Sequence, residues 1–303
     1  MNTQQKAVLV AGASGLIGTA LSTTLKERGW PVRRLVRREK RAMDEVSWNP
    51  ACGEIEAGAM EGVTAVVNLS GENVGAGRWT KSRKAAILRS RVDATRTLVE
   101  AMRRAKTKPE VMVSASAVGI YGDRGDEVLS ESATSGEGFL AEVCRAWEGE
   151  ARAAEREGVR LAILRLGVVL TSEGGALAKM LPVFRVGLGG RIGDGKQWMS
   201  WVSLSDATAG FVHAIDGKGG EGVFNLVAPD PVTNGEFTRV LGRVLRRPAL
   251  LPVPAAAIRI GLGQMGREAL LASVRAVPER LLAEGFQFRH AELEGALRGA
   301  LGR

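Results

Sequence analysis

Three glycines carry the first chemical signal in this chain. From Lys6 the sequence runs Lys6-Ala7-Val8-Leu9-Val10-Ala11-Gly12-Ala13-Ser14-Gly15-Leu16-Ile17-Gly18, an apolar strand that breaks into a turn and continues as a helix. Gly12 permits a tight turn, Gly15 lets the backbone approach a pyrophosphate with no Cβ in the way, and Gly18 lets the helix pack closely on its strand. Ser14, Leu16 and Ile17 complete the turn, where the helix N-terminus offers unpaired N–H groups and a positive dipole end to phosphates. Binding of a dinucleotide is the chemistry this spacing predicts, and a glycine turn without a ligand is the competing reading. About 20 residues past the glycines, where an acidic residue would accept from the ribose hydroxyls of NAD, the chain places Arg37 and Arg38. Their planar, permanently charged donors suit a 2′-phosphate, so the expected cofactor is NADP. Solvated charges ending an edge strand are the alternative.

Other residue types exclude more than they suggest. His213 and His290 are the only histidines, which rules out a multi-histidine metal centre and disfavours a Ser-His-Asp hydrolase. His213, beside Phe211 and Val212, reads as a packed helix residue. Cys52 and Cys144, the only cysteines, lack CxxC spacing, so neither a disulfide framework nor a zinc site is expected. The net charge of +9 and pI of about 10.0 come from basic residues spread along the chain. That pattern points to anionic small molecules and away from nucleic acid. The apolar run after Lys6 is too short to span a bilayer, and a reducing, cytoplasmic setting is expected.

The elements that must position these groups alternate along the chain. Strands are expected at 31–38, 65–69, 111–114 and 160–166. Helices are expected over 80–105, with Leu88, Val92, Thr95, Val99 and Met102 on one stripe, and over 138–156. This alternation predicts an α/β fold, a Rossmann-type doubly wound parallel sheet with helices on both faces. Glycines and prolines crowd the chain after Leu170, so a smaller C-terminal substrate lobe over 171–303 is expected to follow a nucleotide-binding domain over 1–170. Residues about 200–228 are expected to contribute to the sheet, and helices over 234–245 and 268–274 to close a cleft at the sheet's C-terminal edge.

Further motifs span nearly the whole chain: Asn68-Leu69-Ser70-Gly71-Glu72, Arg78-Trp79, Ser90-Arg91, Ser114-Ala115-Ser116-Ala117-Val118-Gly119-Ile120-Tyr121-Gly122, Phe139-Leu140-Ala141 with Trp147-Glu148, Arg165-Leu166-Gly167 and Ser200-Trp201-Val202. With the three-glycine turn, they resemble the atypical extended short-chain dehydrogenase/reductases of the nucleotide-sugar epimerase-like subgroup. The resemblance implies NADP held by the glycine turn with Asn68, Leu69, Ser70, Gly71, Arg91, Ser114 and Leu166. It also implies a sugar-nucleotide-like pocket lined by Glu72, Trp79, Gln197 and Trp201, with Trp198 nearby.

The extended family works through a Tyr-x-x-x-Lys pair, in which the lysine lowers the tyrosine pKa so that the phenolate can take a proton. Tyr121 is the only tyrosine, and Gly125 stands four residues after it. The helix that usually carries the pair reads Phe139-Leu140-Ala141-Glu142-Val143-Cys144. Ser116 matches the family's active-site hydroxyl and is the expected catalytic residue, although a serine ending a strand can equally satisfy backbone groups. Glu72, Glu142 and Cys144 are the remaining titratable candidates. The expectation is an NADP-dependent oxidoreductase or epimerase-like enzyme, monomeric or homodimeric, acting on a hydroxyl-bearing, anionic or nucleotide-sugar-like small molecule. A non-catalytic NADP-binding regulator is the alternative.

Overall fold

The computed structural model describes residues 7–217 and 220–303; Lys6 lies outside them. Strands β1 (Val8–Ala11), β2 (Val32–Val36), β3 (Glu45–Asn49), β4 (Glu54–Ile55), β5 (Ala65–Asn68), β6 (Val111–Ala117), β7 (Arg160–Leu166) and β8 (Gly222–Leu226) form one sheet in the order β8-β7-β6-β5-β1-β2-β3-β4. Every pairing is parallel except β3 with β4. All four residues of β1 and of β5 are buried, as continuous apolar strands must be when helices cover both faces. The order reverses at β1, which lies between β2 and β5, and the crevice beyond those strand ends is where such sheets bind ligands.

Helix α1 (Leu16–Glu27) buries Leu21 and Leu25 and stops at Arg28 before Gly29, whose φ of +73° is left-handed. Helix α2 (Lys81–Arg104) starts at Thr80, whose hydroxyl accepts from Arg83 N at 3.1 Å. Its buried stripe is Ile87, Ala94, Leu98, Ala101 and Met102 with Thr95, Thr97 and Val99. Leu88 and Val92 are only half-buried; the stripe in the core behind the sheet is offset from the expected one and includes the small Ala94 and Ala101. Helix α3 (Phe139–Ala151) tightens into a 3-10 turn over Arg152–Glu157.

The chain leaves the sheet after Leu166, pairs Val168–Leu170 with Trp201–Ser203 in a separate two-stranded ladder, forms α4 (Gly175–Arg185), and returns for α5 (Leu204–Ile215) and β8. It then builds α6 (Asn234–Leu245) and α7 (Ala255–Gly266). A separate core of Leu177, Leu181, Phe184, Trp201, Phe237 and Leu241 holds this part together. The helix expected over 268–274 is instead a π-helical turn, Arg267–Leu271, running on from α7, and the chain is extended from Ala272. Ser200 ties this segment to the sheet side: its hydroxyl donates to Val274 O and accepts from Ala276 N, both at 2.8 Å. Among the described residues no helix is long and apolar enough to cross a membrane.

Candidate functional site

The three glycines serve different neighbours. A Cβ on Gly12, which sits at φ +80°, would stand 2.7 Å from the Leu69 carbonyl carbon and oxygen. On Gly18 it would overlap the Gly12 carbonyl oxygen and lie 2.8 Å from Ala13 Cα. These two are demanded by the protein's own packing. Gly15 is exposed, and a Cβ there would meet only Gly12 O, at 3.3 Å. The space over Gly15 therefore belongs to no protein atom, and the residues present fit a pyrophosphate laid against the turn. Helix α1 begins there with no side-chain cap and no acidic residue in its first turn, leaving its amide dipoles directed at the same space.

The neighbouring strand ends complete the floor. Register aligns Ala11 with Asn68 and Asn68 with Ser114. Asn68 is buried; its Nδ2 donates to Thr95 Oγ1 at 2.9 Å while its Oδ1 accepts from Ser70 N at 3.2 Å. Leu69 and Ser70 are half-buried, Gly71 is exposed, and Ser114 is buried.

Past β2 the two arginines differ. Arg38 donates to both oxygens of Glu45, at 3.0 and 2.7 Å. Those bonds, with the Arg41 amide, hold the Glu45 carboxyl down to about 2. Arg37 is exposed and makes no hydrogen bond or ion pair with the described residues. Only Arg37 of the expected pair has its donors free.

Beyond the ends of β6 and β7 lies a cavity of about 290 Å³. Leu140, Val143, Cys144 and Trp147, spaced i, i+3, i+4 and i+7 along α3, form one wall. Ala117 and Leu166 close the sheet side, and Arg91, Met180, Trp198 and Glu268 stand around it. Ser116 does not line it. Adjacent strand residues point to opposite faces, so Ala117 faces the cavity while Ser116, 2% exposed, donates to Glu148 Oε1 at 2.7 Å.

Ser116 begins a buried polar chain. Glu148 receives Arg165 Nε on Oε1 and Nη2 on Oε2, both at 2.9 Å. Arg165 Nη1 donates to the Tyr121 hydroxyl at 2.9 Å, and that hydroxyl donates to Asn225 Oδ1 at 2.7 Å. Burial works against the Arg165 charge, but the Glu148 carboxylate outweighs it and raises the pKa. Burial likewise raises the Tyr121 phenol, which is fully enclosed. Tyr121 and Arg165 therefore brace the fold and present nothing to the cavity. Burial, then the Glu148 charge, push the Cys144 thiol up to about 11.

Residues 8–226 match the NAD dependent epimerase/dehydratase family. The chain belongs to that family. Residues 253–300 match a C-terminal domain of unknown function that has its own family signature. An epimerase family protein of Mycobacterium leprae is 42% identical over 295 residues, covering 97% of this chain and 95% of its own. The human epimerase family protein SDR39U1, in a crystal structure with NADPH, superposes with a TM-score of 0.88 at 33% identity over 98% of this chain and 99% of the other. A nucleoside-diphosphate sugar epimerase from Corynebacterium glutamicum gives 0.79 at 35% identity, where this chain, 98% covered, spans 58% of that longer protein.

Measured against this family membership, the expected substrate residues scatter. Gln197 is buried, its Nε2 bridging Ile192 O and Leu270 O at 3.1 Å each, and so braces two loops. Trp201 is wholly enclosed in the second core with its indole donating to Asp230 O at 3.0 Å; Trp198 lines the cavity instead. Trp79 packs edge-on against Phe139 and donates to Val74 O at 2.8 Å. Glu72 pairs with Arg83 at 3.2 Å outside the cavity. Arg91 does reach it, stacked 5.1 Å from the Trp147 ring with Nη1 on Glu72 O and Ile87 O. Burial lowers its pKa, and no carboxylate lies in ion-pair range among the described residues. Glu268, from the C-terminal domain of unknown function, was not signalled by any sequence pattern. Its Oε2 accepts from Leu140 N at 2.9 Å and its Oε1 from Gln264 Nε2 at 2.7 Å.

Proposed function

We propose that this protein is an NADP-dependent oxidoreductase or epimerase-like enzyme acting on a small molecule that carries a hydroxyl or carbonyl group. The observation that carries the reading is the free Arg37 guanidinium at the end of β2, beside a glycine turn whose only unfilled side is above Gly15. The turn, with the α1 amides, receives the pyrophosphate, Arg37 receives the 2′-phosphate, and Leu69, Ser70, Gly71, Ser114 and Leu166 border the rest. The NADPH-bound human relative supports the choice of cofactor. When bound, the nicotinamide supplies or accepts hydride.

The chain's own part is to exclude water and hold the substrate oxygen. Ala117, Leu140 and Cys144 give the cavity no alcohol, phenol or amine where the family resemblance implies such groups. Ser116, expected to touch substrate, acts in this reading through its bond to Glu148 and its contact with the Cys144 thiol. The same bare wall favours the second reading, a nucleotide-binding regulator that has lost the chemistry. Titration with NADPH and NADH followed by a search for NADPH oxidation on a panel of carbonyl compounds separates the two. Tight NADPH binding with turnover supports the enzyme, and tight binding with none across the panel supports the regulator. Absence of NADPH binding removes both.

A further inference from the structure

We infer that the cavity binds a compact, largely apolar alcohol rather than a sugar nucleotide, with the ligand hydroxyl donating to Glu268. The inference deepens the proposed function and rests on that reading for its place in a reaction, although not for the binding itself. About 290 Å³ lies at the small end of ligand cavities, which run from about 300 to 1,000 Å³. A nucleoside diphosphate sugar brings three rings and two charged phosphates, so this cavity takes at most its sugar end and leaves the nucleotide to the adjoining cleft.

The wall's chemistry points the same way. Val118, Leu140, Val143, Met180 and Leu270 present hydrocarbon or thioether surface. Its polar side chains are mostly spent on the protein. Asn234 Oδ1 accepts from Ile192 N at 2.8 Å, Ser200 bonds Val274 O and Ala276 N, and the Trp198 indole donates to Asp126 at 2.8 Å. A sugar ring placed here would leave hydroxyls without partners, each costing about a factor of ten to a hundred in affinity. Two groups keep capacity toward the cavity: the outer N–H groups of Arg91, and Glu268.

Glu268 is the acceptor among them. An ionised carboxylate has about four acceptor positions, and only two are taken, by Leu140 N and Gln264 Nε2. It borders both this cavity and an adjoining cleft lined by Gly122, Asp123, Glu137 and Arg267. It thus shares the cavity lining with Arg91 and Cys144 and the cleft lining with Asp123, Glu137 and Arg267. The C-terminal domain of unknown function thereby delivers a carboxylate beside Leu140, on the helix where the family's phenol would be sought.

The probes are 1-indanol, the matched hydrocarbon indane, and UDP-glucose, titrated calorimetrically into the full chain without cofactor. The expected result is binding of 1-indanol about tenfold tighter than indane, no measurable binding of UDP-glucose, about tenfold weakening of 1-indanol in Glu268→Gln, and weakened binding in Ala117→Phe, whose ring takes up part of the cavity. Binding of UDP-glucose in preference to 1-indanol, equal affinities for 1-indanol and indane, or no binding of 1-indanol overturns the inference. The alcohol-to-hydrocarbon comparison uses the unaltered protein and decides the matter even if the Glu268 variant does not fold. A separate NADPH titration on the same sample fails only if the cofactor reading fails, so the two outcomes are told apart.

Discussion

Arg38 and Glu45 close a two-pronged ion pair across the ends of β2 and β3, with N···O distances of 3.0 and 2.7 Å. The Glu45 side chain is 2% exposed and that of Arg38 44%; with Arg38 paired to this carboxylate, Arg37 is the proposed reader of the 2′-phosphate. Charge-assisted hydrogen bonds contribute about 1.5–3 kcal/mol, at least about tenfold in affinity. Calorimetry should therefore show NADPH bound at least about tenfold more tightly than NADH. Arg37→Ala should erase most of that difference and leave NADH unchanged. An undiminished preference in Arg37→Ala would move the phosphate reader elsewhere.

Gly15 and Gly18 should respond oppositely to added carbon. A Cβ on Gly18 collides with the backbone of Gly12 and Ala13, so Gly18→Ala should lower the melting temperature through overpacking that typically costs about 1–3 kcal/mol. The position above Gly15 is open, and Gly15→Val should melt near the wild-type temperature while losing NADPH binding. Thermal melts with and without NADPH read both effects; a Gly15→Val protein that keeps its ligand-induced stabilisation contradicts the cradle assignment.

The glycine turn and the alternating strands and helices were legible in the sequence because they depend on local spacing. What stayed hidden depends on register and on distant partners. Arg37 and Arg38 look alike until β3 brings Glu45 beside one of them. Ser116 and Ala117 exchange roles because neighbouring strand residues face opposite sides, so a one-residue choice decides which meets the cavity. Trp201 and Trp198 differ in the same way, one going into the second core. Helix α7 was concealed by Gly261, Gly263 and Gly266, and Gly263 does break it with φ at +60°. Glu268 had no pattern to betray it, since its partner Leu140 is 128 residues away.

Removing Glu148 should be costly in a way that removing Tyr121 is not. Glu148→Ala leaves the Arg165 charge buried without its carboxylate, a change that typically costs about 3–5 kcal/mol. Tyr121→Phe removes one hydroxyl from the same chain, at about 1–3 kcal/mol. Denaturant titration should rank them in that order. Because Tyr121 is enclosed away from the cavity, its phenylalanine variant should keep kcat within about threefold of wild type on any substrate found, by the scale of a structural change outside the reacting groups. A collapse of kcat in Tyr121→Phe would return the phenol to the chemistry.

Cys144 and Cys52 should separate cleanly under a thiol reagent. Cys52 is exposed, whereas Cys144 is buried and its thiol is held up to about 11, by burial first and the Glu148 charge second. The thiolate is the reactive form, so at pH 8 a native sample should yield one fast thiol and one slow one, and denaturant should release the second. The linkage has a definite sign: an unfolded cysteine ionises near 9.0, below the folded group, so unfolding is favoured increasingly as pH rises from about 9 to 11. Stability in that window should fall less in Cys144→Ala than in wild type, each corrected to its own value at pH 8. In Glu148→Gln the Cys144 reaction should quicken, since the carboxylate charge that opposes ionisation is gone. Rapid labelling of both thiols in the native protein at pH 8 would place Cys144 in an open, polar setting and make it a candidate proton carrier for the cavity.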